Sequence, residues 1–256
     1  MKIGITGCTG RVGKILIEEL QSGEWDSLEL SGAHARDKSK LSDTKFHVTE
    51  NSEELFKNAD AVIDFTLPEA LPAHLLLAAK HKTALIIGTT GIDENGEKAI
   101  EKAARDTTII YAANMSLGVN LLFALVERAA ESLNDDWDIE IFESHHKHKI
   151  DAPSGTALAI GKAAAKGRKV DLDDVKVTAR NSVTGERKKG DIVFSVARGG
   201  DVVGEHTAFF YGAGERIEIS HLARDRSLFA RGALQAAKWC EGKPAGLYSM
   251  KDVLGL

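Results

Sequence analysis

The stretch Lys2-Ile3-Gly4-Ile5-Thr6-Gly7-Cys8-Thr9-Gly10-Arg11-Val12-Gly13 decides the fold. Its first residues, Lys2 to Thr6, form a short apolar run that reads as a buried strand. Beyond the glycines, Val12, Ile15, Leu16 and Leu20 recur at helical spacing, so residues 11–22 read as a helix. Gly7, Gly10 and Gly13 sit at the junction, a G-x-x-G-x-x-G variant of the dinucleotide fingerprint. Glycine there lets the backbone turn tightly and approach a pyrophosphate, which the free N–H groups of the helix start can hold. The bland alternative is a tight turn whose glycines serve only helix packing. Placement between the first strand and first helix of a βαβ unit favours the nucleotide.

The pattern continues outward. Strands are expected at 28–33, 61–65, 84–87 and 108–112, with helices at 69–81 and 93–105 between them. Strands alternating with helices imply βαβ units and a parallel sheet. The pattern changes near Asn114-Met115-Ser116. A long helix is expected at 117–133, then Asp138 to Phe142 alternates polar and apolar, as in a sheet with one wet face. Another helix is expected at 154–166, and strands at 192–197, 202–211 and 215–221. The charged segment 166–189 carries only a weak strand signal around Val175 to Thr178. Residues 228–239 read as a final helix returning to the first domain. The fold class is therefore α/β: a Rossmann-type parallel-sheet domain, 1–116 plus 226–256, with an inserted α+β domain, 117–225, carrying a mostly antiparallel sheet.

Composition narrows the function. Of 256 residues, 43% are hydrophobic and 28% charged, which excludes a disordered or collagen-like chain. A formal net charge of −5, with 3 Tyr and 3 Trp, argues against nucleic acid as a partner. No apolar run is long enough to span a bilayer, and the opening residues turn into glycines too early for a signal peptide. Two cysteines, Cys8 and Cys240, make no disulfide framework. The expectation is a cytoplasmic protein without a membrane partner. Cys240 has no activating neighbours in sequence, against a thiol-ester mechanism.

Three further segments bear on the site. After the second strand comes Ala33-His34-Ala35-Arg36-Asp37-Lys38. A carboxylate there would hold the ribose of NAD, whereas an arginine can hold a 2′-phosphate. Arg36 is well placed, and Asp37 comes one residue late. Gly88-Thr89-Thr90-Gly91 follows the fourth of these strands and either contacts a ligand at the crevice or is an ordinary βα turn. The densest cluster is Glu143-Ser144-His145-His146-Lys147-His148-Lys149-Ile150-Asp151-Ala152-Pro153-Ser154-Gly155-Thr156. Its lysines can neutralise carboxylates, His145 or His146 can move a proton near neutral pH, and Ser154-Gly155-Thr156 opens a helix. This describes a pocket for a small carboxylate-bearing substrate. A metal site is the rival, but the interleaved lysines would repel a cation and no metal is expected. A plain surface loop is the other reading.

That cluster closely resembles the E-x-H-H-x-x-K-x-D-x-P-S-G-T signature of the 4-hydroxy-tetrahydrodipicolinate reductase (dihydrodipicolinate reductase) family. The resemblance extends to the glycine loop, to Gly88 to Gly91, to Ala112-Ala113-Asn114-Met115-Ser116-Leu117-Gly118-Val119-Asn120, and to Gly204-Glu205-His206. It implies NAD(P)H-dependent reduction of a cyclic imine-like dicarboxylate in diaminopimelate and lysine biosynthesis, by a homotetramer with hinges between its domains. It also implies roles: His145 as proton donor or acceptor, Lys149 as proton donor, and His146, Ser154, Gly155 and Thr156 as substrate contacts. The implied nucleotide contacts are Gly7, Cys8, Thr9, Gly10, Arg11 and Val12, then Gly88, Thr89 and Thr90, and Ala112, Ala113, Asn114 and Met115. Some members carry an acidic residue where this chain has Ala35. Together with Arg36 that makes NADPH the expected cofactor, ahead of NADH. The rival functions are another reductase of small keto or imino acids and a nucleotide-sensing regulator without turnover.

Overall fold

The apolar runs of the first half split by alternation. Ile3, Ile5, Ile63 and Ile86 face one core, while Val62, Leu85, Ile87 and Ile109 face another. A strand buried on both faces belongs in a parallel sheet with helices on either side. The computed structural model describes residues 1–41, 44–178, 180 and 182–256, the side chain of Lys40 aside. The first unit comprises Met1–Leu117 and Arg226–Leu256. Its elements are β1 (Lys2–Thr6), α1 (Arg11–Gln21), β2 (Glu29–His34), β3 (Val48–Thr49), α2 (Ser52–Lys57), β4 (Ala61–Asp64), α3 (Leu71–His81), β5 (Ala84–Ile87), α4 (Glu94–Ala103) and β6 (Thr108–Tyr111). After the second unit the chain adds α8 (Ser227–Trp239), β12 (Gly246–Tyr248) and α9 (Met250–Leu254).

The seven strands run β12-β6-β5-β4-β1-β2-β3, and every pairing is parallel. Strand order reverses between β1 and β4, the switch point at which open α/β sheets bind ligands. Helices α1 and α8 pack on one face through Leu16, Ile17, Ala233 and Leu234. Helices α2, α3 and α4 cover the other through Phe56, Leu71, Leu75 and Ile100.

The second unit is Gly118–Asp225. It is built from α5 (Leu117–Ser132), β7 (Asp138–His145), α6 (Gly155–Arg168), α7 (Leu172–Val175), β8 (Lys176–Val177), β9 (Ile192–Arg198), β10 (Gly204–Gly212) and β11 (Glu215–Ala223). Its sheet runs β11-β10-β7-β9-β8. The long ladders β10 to β11 and β10 to β7 are antiparallel; β7 to β9 and the short β8 to β9 are parallel. One face packs Ile139, Ile141, Ala208 and Phe210 against Val126, Ile160 and Ala164 of α5 and α6.

The charged 166–189 segment contains α7 and β8, with residues 179 and 181 outside the described ones. Strand β10 begins at Gly204, two residues later than its pattern implied, because Val202 instead accepts the His146 N–H through its carbonyl. Among the described residues no helix is long and apolar enough to cross a membrane.

Candidate active site

In the second unit the inner face of β7 reads Ile139, Ile141, Glu143, His145, all buried. The face is apolar for half its length and then turns ionisable. A buried carboxylate needs partners to offset desolvation. Glu143, fully buried, has four. Its Oε2 accepts from His145 Nδ1 at 2.5 Å and Arg198 Nη1 at 2.7 Å, and its Oε1 accepts from Arg198 Nη2 at 2.8 Å and the Ser154 N–H at 2.9 Å. Arg198, at the end of β9, is thus a bidentate fork on Glu143 and also donates to the Asp151 carbonyl. Burial pushes the Glu143 pKa up, but Arg198 and His145 outweigh it and hold the carboxyl below its usual range.

With Nδ1–H donated to Glu143, His145 keeps Nε2 as the nitrogen that can exchange a proton. Burial lowers its pKa more than Glu143 raises it, so the resting ring is neutral near pH 7. His206 on β10 stands edge-on to it, ring centroids 5.1 Å apart. Both His145 and His206 are almost fully buried.

The chain then crosses a cis Ala152–Pro153 bond into α6, with Ser154 as N-cap accepting the Ala157 N–H at 3.1 Å. Gly155 is exposed, and a Cβ there would meet nothing within 4 Å. Lys149 is partly buried and pairs with Asp151 at 2.9 Å, which lowers the Asp151 pKa. His146 is half-buried, and its Nδ1 has no partner among the described residues. Lys147 and His148 are exposed. Structure therefore brings His145, Ser154 and the start of α6 together around Glu143. No group of three or more His, Cys, Asp or Glu side chains among the described residues is arranged to hold a metal ion.

In the first unit, Gly7 adopts φ +72°, and a Cβ there would lie 2.5 Å from the Phe65 carbonyl oxygen. A Cβ on Gly13 would lie 2.2 Å from the Gly7 carbonyl oxygen. Gly10 is the N-cap of α1, with no side-chain cap and no acidic residue in the first turn. Among the described residues no side chain caps that turn, a feature of helix starts that can receive an anion. Thr9, Gly10 and Arg11 are exposed and Val12 half-buried. Cys8 turns inward instead: its Sγ donates to the His34 carbonyl and burial raises its pKa, so only its backbone faces the loop. Met115 is likewise buried.

At the end of β2, Ala35 is buried and Arg36 exposed. Asp37 accepts from the Ser39 N–H and hydroxyl, closing a local turn. Gly88 packs against the Phe65 ring, where a Cβ would come within 2.4 Å. Thr89 is buried and Thr90 exposed, with the Thr66 N–H donating to Thr89 Oγ1. Ala112 and Asn114 are half-buried and Ala113 exposed beyond β6.

Comparison with known proteins gives both halves the same assignment. The family profile "Dihydrodipicolinate reductase, N-terminus" matches residues 1–115, and "Dihydrodipicolinate reductase, C-terminus" matches residues 118–254. The chain belongs to the dihydrodipicolinate reductase family. It is 48% identical to the 4-hydroxy-tetrahydrodipicolinate reductase of Parvibaculum lavamentivorans, over 100% of this chain and 98% of that one. It is 46% identical to the enzyme of the same name from Pseudoalteromonas translucida, over 100% and 98%. A dipicolinate-bound dihydrodipicolinate reductase from a Paenisporosarcina species superposes with TM-score 0.80 at 21% identity, covering 97% of each chain. The Corynebacterium glutamicum DAP dehydrogenase shares the fold more distantly, with TM-score 0.56 at 12% identity, covering 98% of this chain and 92% of that one.

Within this dihydrodipicolinate reductase framework, four groups that the sequence left without a role acquire one. Glu143 and Asp151 lay inside the quoted cluster without a role. The signal for Glu143 was its phase: it shares the inward face of Ile139 and Ile141. Arg198 and His206 come from other strands, and no local pattern links them to β7. In the first unit the buried Asp64 takes the Thr66 N–H and hydroxyl on one oxygen and His74 Nδ1 at 2.6 Å on the other. Burial would raise its pKa, but His74 and the hydroxyls hold it low.

Proposed function

We propose that the second unit binds the substrate and moves its protons, and that the first unit holds the nicotinamide nucleotide. The protein is a 4-hydroxy-tetrahydrodipicolinate reductase, an oxidoreductase of lysine biosynthesis. The observation that carries the division of labour is the buried Glu143, which fixes His145 Nδ1–H and the Ser154 N–H with one carboxylate.

Each residue then has a task. The Ser154-Gly155-Thr156 start of α6 receives one substrate carboxylate, with His146 beside it. Lys149, held by Asp151, neutralises charge and supplies the proton that the reduced ring needs. His145 accepts or returns a proton at Nε2 during loss of water, its tautomer set by Glu143. When bound, the nucleotide supplies the hydride; this chain supplies orientation, charge and proton traffic.

The glycine loop and the uncapped first turn of α1 fit a pyrophosphate. Arg36, exposed beside the buried Ala35, fits a 2′-phosphate, which makes NADPH the preferred nucleotide and NADH the lesser one. Arg36→Ala should lower kcat/KM for NADPH selectively, and Ala35→Glu should move preference towards NADH. Equal loss with both nucleotides in Arg36→Ala would remove Arg36 from the site.

Pyridine-2,6-dicarboxylate, a flat stable mimic, should compete with the substrate and bind more weakly as salt rises, because exposed charges are screened over about 10 Å at ~0.1 M. Failure to inhibit at millimolar concentration would refute the dicarboxylate pocket. A homotetramer is the proposed assembly. The outer face of the second sheet supports it: Phe142 and Tyr211 are exposed there, and Phe209 stacks on Tyr211 beneath Arg216. Sedimentation equilibrium tests it, with a monomer as the refuting result.

A further inference from the structure

The hydroxyl of Ser154 has two neighbours. It accepts the Ala157 N–H at 3.1 Å, and it lies 3.1 Å from His206 Nε2. A hydroxyl has one proton to give and two lone pairs to fill. Which partner donates in the Ser154–His206 bond follows from the other ring nitrogen. His206 Nδ1 is buried with no partner among the described residues. A stranded buried N–H is rarer and costlier than an under-used acceptor, so the proton of a neutral His206 belongs on Nε2.

The ring is neutral because a second proton would occupy that same unpartnered Nδ1. Its surroundings agree: burial, His145, His221 and Lys149 disfavour the charge, Glu143 favours it, and the pKa is lowered to about 4. His206 faces Glu143 across β7 and His221 across β11 in the sheet register. Its Nε2–H therefore fills the second lone pair of Ser154 Oγ. The hydroxyl proton then has no partner among the described residues.

We propose that His206 is a positioning residue that donates Nε2–H to Ser154 and so turns the Ser154 hydroxyl into an obligatory donor to a substrate carboxylate at the start of α6. The inference rests on the dicarboxylate reading above. It adds a direction: with Nε2–H donated to Oγ, Ser154 cannot give its proton to the ring, and its hydroxyl is held in one rotamer; without His206 the hydroxyl keeps its proton but loses that fixed orientation. The open space at Gly155, the next residue, leaves room for the acceptor. Because His206 also stands edge-on to His145, one imidazole orients a substrate donor while packing against the ring that exchanges protons.

Two measurements on the full chain test this. Long-range proton–nitrogen correlation of the ¹⁵N-labelled protein should show His206 as the Nε2–H tautomer near neutral pH. Calorimetry with pyridine-2,6-dicarboxylate should show binding weakened severalfold in His206→Met, up to about the tenfold value of one hydrogen bond to a charged acceptor, because the Ser154 hydroxyl is no longer held as a donor. His206→Gln, whose amide can donate from near the Nε2 position, should restore most of it. In a Ser154→Ala background, His206→Met should cost nothing more. An Nδ1–H tautomer would overturn the proposal, as would wild-type binding by His206→Met or an undiminished loss in the Ser154→Ala background. Should His206→Met fail to fold, the tautomer alone decides. If Ser154→Ala itself binds like wild type, the dicarboxylate role of Ser154 falls too. If Ser154→Ala weakens binding and His206→Met does not, only the positioning role falls.

Discussion

Replacing Glu143 by Gln removes one charge from the centre of the substrate half and leaves the shape nearly unchanged. An amide cannot satisfy all four donors that now point at the carboxylate. Its NH2 group would face Arg198 in either orientation, together with His145 Nδ1–H in one and the Ser154 N–H in the other. Breaking a buried ion pair costs about 3–5 kcal/mol. Arg198 retains some solvent contact, so the lower end, about 3 kcal/mol, is expected. At roughly 2–4 °C per kcal/mol for a chain of this size, the melting temperature should fall by about 6–12 °C. That difference should be complete at neutral pH. A carboxyl with a depressed folded pKa contributes stability that is present above its unfolded pKa, ~4.3, and lost as pH falls through the folded value. Activity should suffer more than stability, since loss of an oriented acid–base group costs about 10²–10⁴-fold in kcat. Nucleotide affinity, measured by fluorescence titration well below the melting temperature, should not change. A folded Glu143→Gln protein with near-wild-type kcat would refute the claim that this carboxylate sets the proton chemistry of His145.

Other expectations follow from single features. Lys149→Ala should lower kcat/KM for the dicarboxylate at least tenfold, about the value of one charge-assisted bond, while nucleotide binding survives; an unchanged kcat/KM would remove Lys149 from the site. Gly7→Ala should lose nucleotide affinity and about 1–3 kcal/mol of stability, because alanine would have to hold φ +72° with its Cβ 2.5 Å from the Phe65 carbonyl; a well-folded variant with normal affinity contradicts the cradle. His206, with a folded pKa of about 4, should make the protein less stable in acid. Its unfolded form binds a proton below ~6.5, so stability is full above that pH and declines as pH falls towards about 4, by about 3 kcal/mol in all. His145 and His34, also lowered, act in the same direction. Denaturant unfolding at mildly acid and neutral pH should show this difference, and His206→Gln should reduce it; an equal difference in both proteins would locate the titration elsewhere.

Much of the fold could be read along the chain because its signals are local. Lys2 to Thr6, Ala61 to Asp64 and Ala84 to Ile87 are short apolar runs between turn residues, and they became β1, β4 and β5. The small elements were missed for the opposite reason. Val48–Thr49 and Gly246–Tyr248 are too short to show a period, and they exist because β2 and β6 offer open edges to pair with. The six-residue α2 is capped by Asn51, whose side chain accepts the Glu53 N–H, a signal overshadowed by the charged residues around it.

The site divides the same way. His145 and Lys149 stood out through an unusual run of basic residues. The Glu143–Arg198 pair did not, since its partners are 55 residues apart and meet only because β7 and β9 lie side by side. His206 was noticed only as part of a family-like triplet; its contacts with Ser154 and His145 depend on the registration of β10 against β7.

The central claim is that this chain transfers hydride from a nicotinamide nucleotide to 4-hydroxy-tetrahydrodipicolinate. The direct measurement is loss of the reduced-nicotinamide absorbance with the purified protein, NADPH and freshly generated substrate, with product identified by mass spectrometry. The account predicts stoichiometric NADPH oxidation and tetrahydrodipicolinate formation that require the substrate, stop with excess pyridine-2,6-dicarboxylate, and collapse in Glu143→Gln. Tight nucleotide binding with no substrate-dependent oxidation would contradict it and point to a sensor; oxidation with simple keto acids but not with this substrate would point to a different reductase.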